Sequence, residues 1–235
     1  MLIASGVFDV APKVYGSIGP AFYGLRTSVL AFLLMALLRI KRAEGLKEKS
    51  PPELGRVLGL DRAPEMKTLR RKLAELAARG KGLEFMRLLA HIRAKEHKSD
   101  LAYLYIDGHV RVYSGKEELP EAFVMQRRRP MPGTTDYWVG DQRGQPLLVI
   151  TAEANEGPSQ MLKPVLAEVR GVIGDRRATV VFDRGGWSPK LFKALIKEDK
   201  DGNWDILTYR KGAAISAPRK SFRTHKAKID GRSVS

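Results

Sequence analysis

The hydrophobic period changes once along this chain of 235 residues, close to Asp100, and that change restricts the fold more than any other feature. Before it, apolar residues recur every three or four positions. After it, they come in short runs at strand spacing. Leu25, Val29, Phe32, Leu33 and Leu37 predict one helix from about Phe22 to Ala43. Ser50-Pro51-Pro52-Glu53 reads as a capping box with prolines in the first turn, opening a short helix that ends near Gly59. A third helix carries Met66, Leu69, Leu73 and Leu76 on one side, with Lys67, Arg70, Arg71 and Lys72 around the rest. Gly80-Lys81-Gly82 precedes a fourth helix through Phe85, Leu88, Leu89 and Ile92. Two short helices with a brief joint, the second one basic, have the outline of a helix-turn-helix. A solvated Lys/Arg face is the competing reading of that second helix.

Beyond Asp100 the predicted order is strand, hairpin, helix, strand, helix, strand. Leu101 to Ile106 is apolar on both alternating faces, as in a central buried strand, and Val110 to Tyr113 continues it or turns back on it. Asp136 to Val139 and Leu147 to Ile150 flank the turn Asp141-Gln142-Arg143-Gly144. Val165, Leu166, Val169, Val172 and Ile173 predict a helix, Ala178 to Phe182 a second buried strand, and Ser188-Pro189 the start of another helix. Trp204 to Tyr209 predicts the last strand. The expected organisation is an α-helical, helix-turn-helix-like region over 1–98, an α/β unit over 99–212, and a basic, aperiodic, flexible tail over 213–235.

Charge narrows the partner. Forty-two Lys and Arg against 26 Asp and Glu give +16, a larger excess than solubility requires. The excess sits in the first hundred residues and in the tail, leaving the α/β unit nearly neutral. Phosphate binding is achieved with Lys and Arg, so a nucleic-acid partner is expected. Between Arg26 and Arg39 lie only 12 uncharged residues, short of the roughly 20 that cross a bilayer. The chain is therefore read as cytoplasmic, associated with the nucleoid. The absence of cysteine removes zinc fingers, iron–sulfur clusters and thiol nucleophiles. No P-loop, GxGxxG, HExxH or GxSxG motif is present.

Two apolar strands run directly into an aspartate, in Ile106-Asp107-Gly108-His109 and Val181-Phe182-Asp183-Arg184-Gly185-Gly186. Carboxylates at the rim of an open α/β sheet lie where such sheets collect ligands. If the strands are neighbours, Asp107 and Asp183 converge, and a divalent cation relieves their repulsion. Hard oxygen ligands suit Mg²⁺ or Mn²⁺, which act on phosphodiesters. The competing reading is that each aspartate simply turns the chain, Asp107-Gly108 being a common turn pair. The glycines leave room for a bulky backbone to approach. His109 is read as a rim histidine, and His91 and His97 are off the spacing of a metal pair.

These residues resemble the DDE transposases of bacterial insertion sequences, within the RNase H-like (retroviral integrase) superfamily. The matching pieces are LAYLYIDGHVRVYSG from Leu101, QRRRPMPGTTDYWVGDQRGQPLLVITAE from Gln126, VVFDRGGWSPKLF from Val180 and WDILTYRKG from Trp204. Ser50 to Leu73 is similar to the front region of such enzymes. The resemblance implies an RNase H-like mixed sheet flanked by helices, preceded by the helical region. It implies catalytic, metal-binding Asp107 and Asp183, a Mg²⁺ or Mn²⁺ cofactor, and double-stranded DNA (element ends and target) as partner. Self-association stays open. Lys67, Arg70, Arg71, Arg127, Arg128, Arg184 and Trp187 are the candidate DNA contacts, Trp187 by stacking on an unpaired base or, alternatively, by packing under its loop. The family's third acid, a glutamate, lies beyond the strand matching Trp204 to Tyr209. Only 26 residues follow Tyr209, with the single acid Asp230, and Glu198 and Asp205 sit close to Asp183. The third acid is left unassigned. The expectation is a transposase truncated at its C-terminus and impaired in cleavage, the alternative a DNA-binding remnant that does not cut.

Overall fold

Pairing, more than apolarity, sets the central strand. The first half of β1 (Tyr103–Val112) alternates, with Leu104 and Ile106 buried and Tyr103 and Tyr105 each 46% exposed. It is therefore covered on one face, where uniform apolarity had predicted two. It also runs straight through Asp107-Gly108, because β3 (Arg129–Gly140) pairs with it in antiparallel register from Tyr105↔Gly140 to Val112↔Gly133. A partner that long satisfies each backbone group in turn, so the Asp-Gly pair stays extended.

The computed structural model describes residues 5–19, 23–124, 127–198, 202–212, 223–224, 226–229 and 232–234. The sheet follows the order β2-β3-β1-β5-β6, with β4 (Pro146–Glu153) also pairing β3. β2 (Glu121–Val124) joins the start of β3, while β5 (Ala178–Phe182) and β6 (Trp204–Thr208) run parallel to β1. Parallel neighbours need crossovers. The first is α6 (Pro158–Ile173), whose Met161, Leu162, Val165, Leu166, Val169, Val172 and Ile173 are all buried against Leu104, Val139, Leu148 and Val180. The second is α7 (Pro189–Glu198), capped where expected by the Ser188 hydroxyl, which accepts from the Leu191 amide at 3.3 Å.

The front of the chain forms α1 (Val7–Tyr15), α2 (Leu25–Leu37), a 3-10 turn at Ala43–Glu48, α3 (Pro51–Leu58), α4 (Met66–Ala78) and α5 (Gly82–Glu96). α1 was not anticipated, since its run is short and contains Pro12. α2 stops six residues early, in a Schellman-type closure. The Ile40 amide donates to the Met35 carbonyl at 2.8 Å and the Arg39 amide to Ala36 at 3.0 Å. Arg39 takes φ 56°, a position usually held by glycine, so no glycine signalled the stop. Gly59 ends α3 with φ 70° as expected, but Ser50 makes no side-chain cap. On α4 the buried stripe is rotated from the predicted one. Leu73 is exposed, and Lys72 is buried with its ammonium donating to the Ile18 carbonyl at 3.5 Å, 3.9 Å from a Glu75 oxygen.

α5 ties this region to the sheet, as Ala90 and Ala94 belong to the same buried cluster as Leu104 and Val180. In the tail, β7 (Ala227–Ile229) and β8 (Arg232–Val234) pair as a short antiparallel ladder where no element was predicted. Asp230 and Gly231, between them in sequence, lie outside the described residues.

The joint between α3 and α4 is tight. A Cβ on Gly55 would lie 2.6–2.7 Å from the backbone of Arg62, which cannot swing aside as a side chain would. Gly55→Ala is expected to lower stability by about 1–3 kcal/mol through overpacking. Urea denaturation at unchanged m-value would measure it, and a neutral result would mean that this joint is loose.

Candidate active site

β1 and β5 are direct neighbours, with Ile106 opposite Phe182 in parallel register. The next residue on each is an aspartate, so Asp107 and Asp183 come side by side at one level of the sheet. Their surroundings differ. Asp107 stands within a continuing strand, opposite Trp138 of β3. Asp183 leaves the sheet at the end of β5 and opens a 3-10 turn over Arg184–Gly186, its Oδ1 accepting from the Gly185 amide at 2.9 Å. The Thr208 hydroxyl of β6 donates to the Asp183 carbonyl at 3.0 Å and holds that exit in place. Both carboxylates are exposed.

The glycines serve the protein's own packing. A Cβ on Gly108 would meet the Tyr137 ring at 3.0 Å, and one on Gly186 would meet the Phe182 ring at 2.6 Å. Aromatic rings beneath the rim thus crowd the Gly108 and Gly186 positions, which favours small residues there besides any clearance for an incoming backbone.

Other predicted residues scatter. Arg184 is exposed in the turn beside Asp183. Trp187, next to it, packs edge-on against Phe192 with ring centroids 5.3 Å apart, which is the packing alternative given above. Arg127 and Arg128 are exposed in the turn between β2 and β3, Arg128 at φ 53°. That turn is ten residues along β3 from Trp138, or roughly 30 Å at the rise of a strand. Lys67, Arg70 and Arg71 are exposed on α4, with Arg70 ion-paired to Glu44. Asp205 pairs with the Arg177 guanidinium at 2.8 and 2.9 Å, which holds its carboxyl below the usual range. It sits opposite Thr179, four residues along β5 before Asp183. The Glu198 side chain and Asp230 lie outside the described residues. Among the described residues, no group of three or more His, Asp or Glu is gathered closely enough to hold a metal ion.

Sequence reasoning missed two groups near the site. Tyr137 is 2% exposed beneath Gly108 and donates its hydroxyl to the Glu156 carbonyl at 2.5 Å. Burial, followed by the charges of Glu156 and Asp183, pushes its phenol up to about 12. Asp136 is buried on β3 and accepts from Arg111 and from the Thr151 hydroxyl, the latter at 2.8 Å. A charged residue inside an otherwise apolar strand was the available signal for Asp136. For Tyr137 there was none.

Strand order, pairing directions and the helices packed on the sheet are those of an RNase H-like fold. The chain belongs to the family described as Transposase protein (Transposase_29), which it matches over residues 1–229. Among solved structures, that described as the piggyBac transposase synaptic complex with hairpin DNA matches with a TM-score of 0.52 at 13% identity. The match covers 93% of this chain and 52% of the other, so the chain spans about half the length of that protein, and the likeness is one of fold. The Mos1 mariner paired-end complex with Mn matches at TM-score 0.30 and 12% identity, over 75% of this chain and 57% of that one. No curated protein matches the chain. Among the described residues, no helix is long and apolar enough to cross a membrane.

Proposed function

We propose that this transposase is of the DDE type and cleaves and joins DNA strands at the ends of a mobile element, with Asp107 and Asp183 holding Mg²⁺ or Mn²⁺. One observation carries the reading: the Ile106–Phe182 register makes neighbours of the two aspartates in a chain of a transposase family. Two exposed carboxylates are hard oxygen donors suited to such an ion. When bound, the ion supplies Lewis-acid stabilisation of the phosphodiester oxygens. The protein's own part is positioning. β1 and β5 hold the two carboxylates on paired strands, and the Gly185 amide fixes the Asp183 oxygen that faces it. Such positioning carries most of the work in phosphoryl transfer.

DNA is the proposed partner, supported by the +16 charge and by the hairpin DNA named for the piggyBac complex. Lys67, Arg70, Arg71, Arg127, Arg128 and Arg184 are proposed to contact its backbone, while Trp187 supports its loop and reaches DNA only if that loop opens. The division at 98/99, self-association and a bacterial insertion-sequence origin belong to the same reading and rest on the sequence. Because no third acid joins the two aspartates among the described residues, cleavage is proposed to be slow. The second reading, a DNA-binding protein that does not cut, is favoured by that same observation.

Nicking of supercoiled plasmid in Mg²⁺ and in Mn²⁺ tests the proposal. Metal-dependent nicking supports it, whereas DNA bound but intact in both metals moves the assignment to the non-cutting alternative. Lys67→Ala and Arg71→Ala are each expected to weaken DNA binding alike on all sequences and reduce the slope of log K against log salt by about 1. Fluorescence anisotropy across a salt series measures this, and an unchanged slope removes α4 from the interface.

A further inference from the structure

A series of neighbouring groups leads from the residue beside Asp107, through β3 and the turn before α6, to the loop that carries Asp183. It starts at Gly108, beside Asp107, where a methyl group would be tight because the Tyr137 ring lies 3.0 Å from where a Cβ would be. The Tyr137 hydroxyl then donates to the Glu156 carbonyl at 2.5 Å. Glu156 belongs to the turn closed by its own carboxylate, which accepts from the Glu153 amide at 3.1 Å. Gly157 and Pro158 follow and begin α6, and the Pro158 Cγ lies 3.4 Å from where a Cβ of Gly185 would stand. Gly185 in turn donates its amide to Asp183 at 2.9 Å.

We infer that Tyr137 is a positioning residue for the Asp107/Asp183 pair, its ring setting the height of β1 at Gly108 and its hydroxyl fixing the turn that abuts the Asp183 loop. The inference rests on the proposed metal-dependent site. A phenol that stays protonated across the physiological range is a permanent donor, as a carbonyl acceptor requires. The Tyr137 hydroxyl is spent on the Glu156 carbonyl and not on either carboxylate. It governs their separation through backbone contacts, so its removal changes how well an ion is held before it changes the reaction of a bound ion.

The test compares the whole chain with Tyr137→Phe, which keeps the buried ring and deletes only the hydroxyl. Mn²⁺ affinity is read from the electron paramagnetic resonance signal of the free ion, and nicking is followed as a function of Mn²⁺. Mn²⁺ affinity is expected to fall about tenfold, the low end of what outer partners of metal ligands contribute. The Mn²⁺ needed for half-maximal nicking should rise equally, with the rate at saturation and the DNA affinity within twofold of wild type. Gly108→Ala, which disturbs the same path at its other end, is expected to lower Mn²⁺ affinity in the same direction. A Tyr137→Phe affinity within twofold of wild type overturns the positioning role while leaving the metal site standing. Wild-type protein that binds no more Mn²⁺ than Asp107→Asn or Asp183→Asn overturns both.

Discussion

Asp107→Asn and Asp183→Asn proteins are expected to bind plasmid DNA as wild type does and to nick it about a hundred- to a thousandfold more slowly, the scale set by losing a preorganised group that stabilises transition-state charge. The fold has little reason to respond. Asp107 is exposed on a strand whose pairing uses backbone atoms, and asparagine forms the same ladder. At 183 the one side-chain acceptor bond in use comes from the Gly185 amide, and an asparagine oxygen can still accept it. What each variant removes is one of two negative charges at a single level of the sheet, and with it the affinity for a divalent cation. Circular dichroism melts should therefore coincide with wild type. Nicking that persists in either variant would place the chemistry elsewhere or on a contaminant.

Asp141→Ala is expected to cost stability and leave the aspartate pair untouched. Asp141 is fully buried at the β3–β4 turn, where it accepts from the amides of Arg143 at 3.0 Å and Gln145 at 2.9 Å, and from the Arg93 guanidinium of α5 at 2.5 Å. Burial by itself would raise its carboxyl. The Arg93 hydrogen bond, the two amides and the Arg93 charge outweigh burial and hold it below the ordinary range. Truncation strands three donors at once. Breaking a buried pair costs about 3–5 kcal/mol. Arg93 remains partly open to water and can rehydrate, so a loss of about 3 kcal/mol is expected, or roughly 6–12 °C in a thermal melt.

The pH dependence has a definite sign. A carboxyl whose folded pKa is depressed stabilises the protein above its unfolded pKa, near 4, and that contribution is lost as pH falls through the folded value. The gap between wild type and Asp141→Ala should thus be full at pH 7 and narrow below about pH 4. A constant gap down to pH 2 would show that truncation, and not charge, accounts for the loss.

The two strands that end the search for a site were legible because burial on a sheet leaves an apolar run, and both runs stop at an aspartate. The turn at Asp141–Gly144 was legible for the same local reason. Leu73 and Lys72 were assigned the wrong way round, since helical spacing fixes a stripe only to within about one residue and the neighbours decide which edge of it is covered. α2 outran its true end because Arg39 adopts a conformation that composition does not announce. Tyr137 left no trace, as an aromatic residue in a buried strand is the commonest thing there is.

Local pattern therefore determined most of the elements, their order, the charge that suits a polyanion, and the two aspartates. Only the tertiary structure decided that β5 lies against β1, that Gly108 answers to a ring on β3, and that Asp141 answers to a helix 48 positions earlier. Periodicity records whether a side chain faces the interior. Register and cross-chain contacts come from how separate elements close upon one another, and a linear pattern of burial holds no record of which buried faces meet.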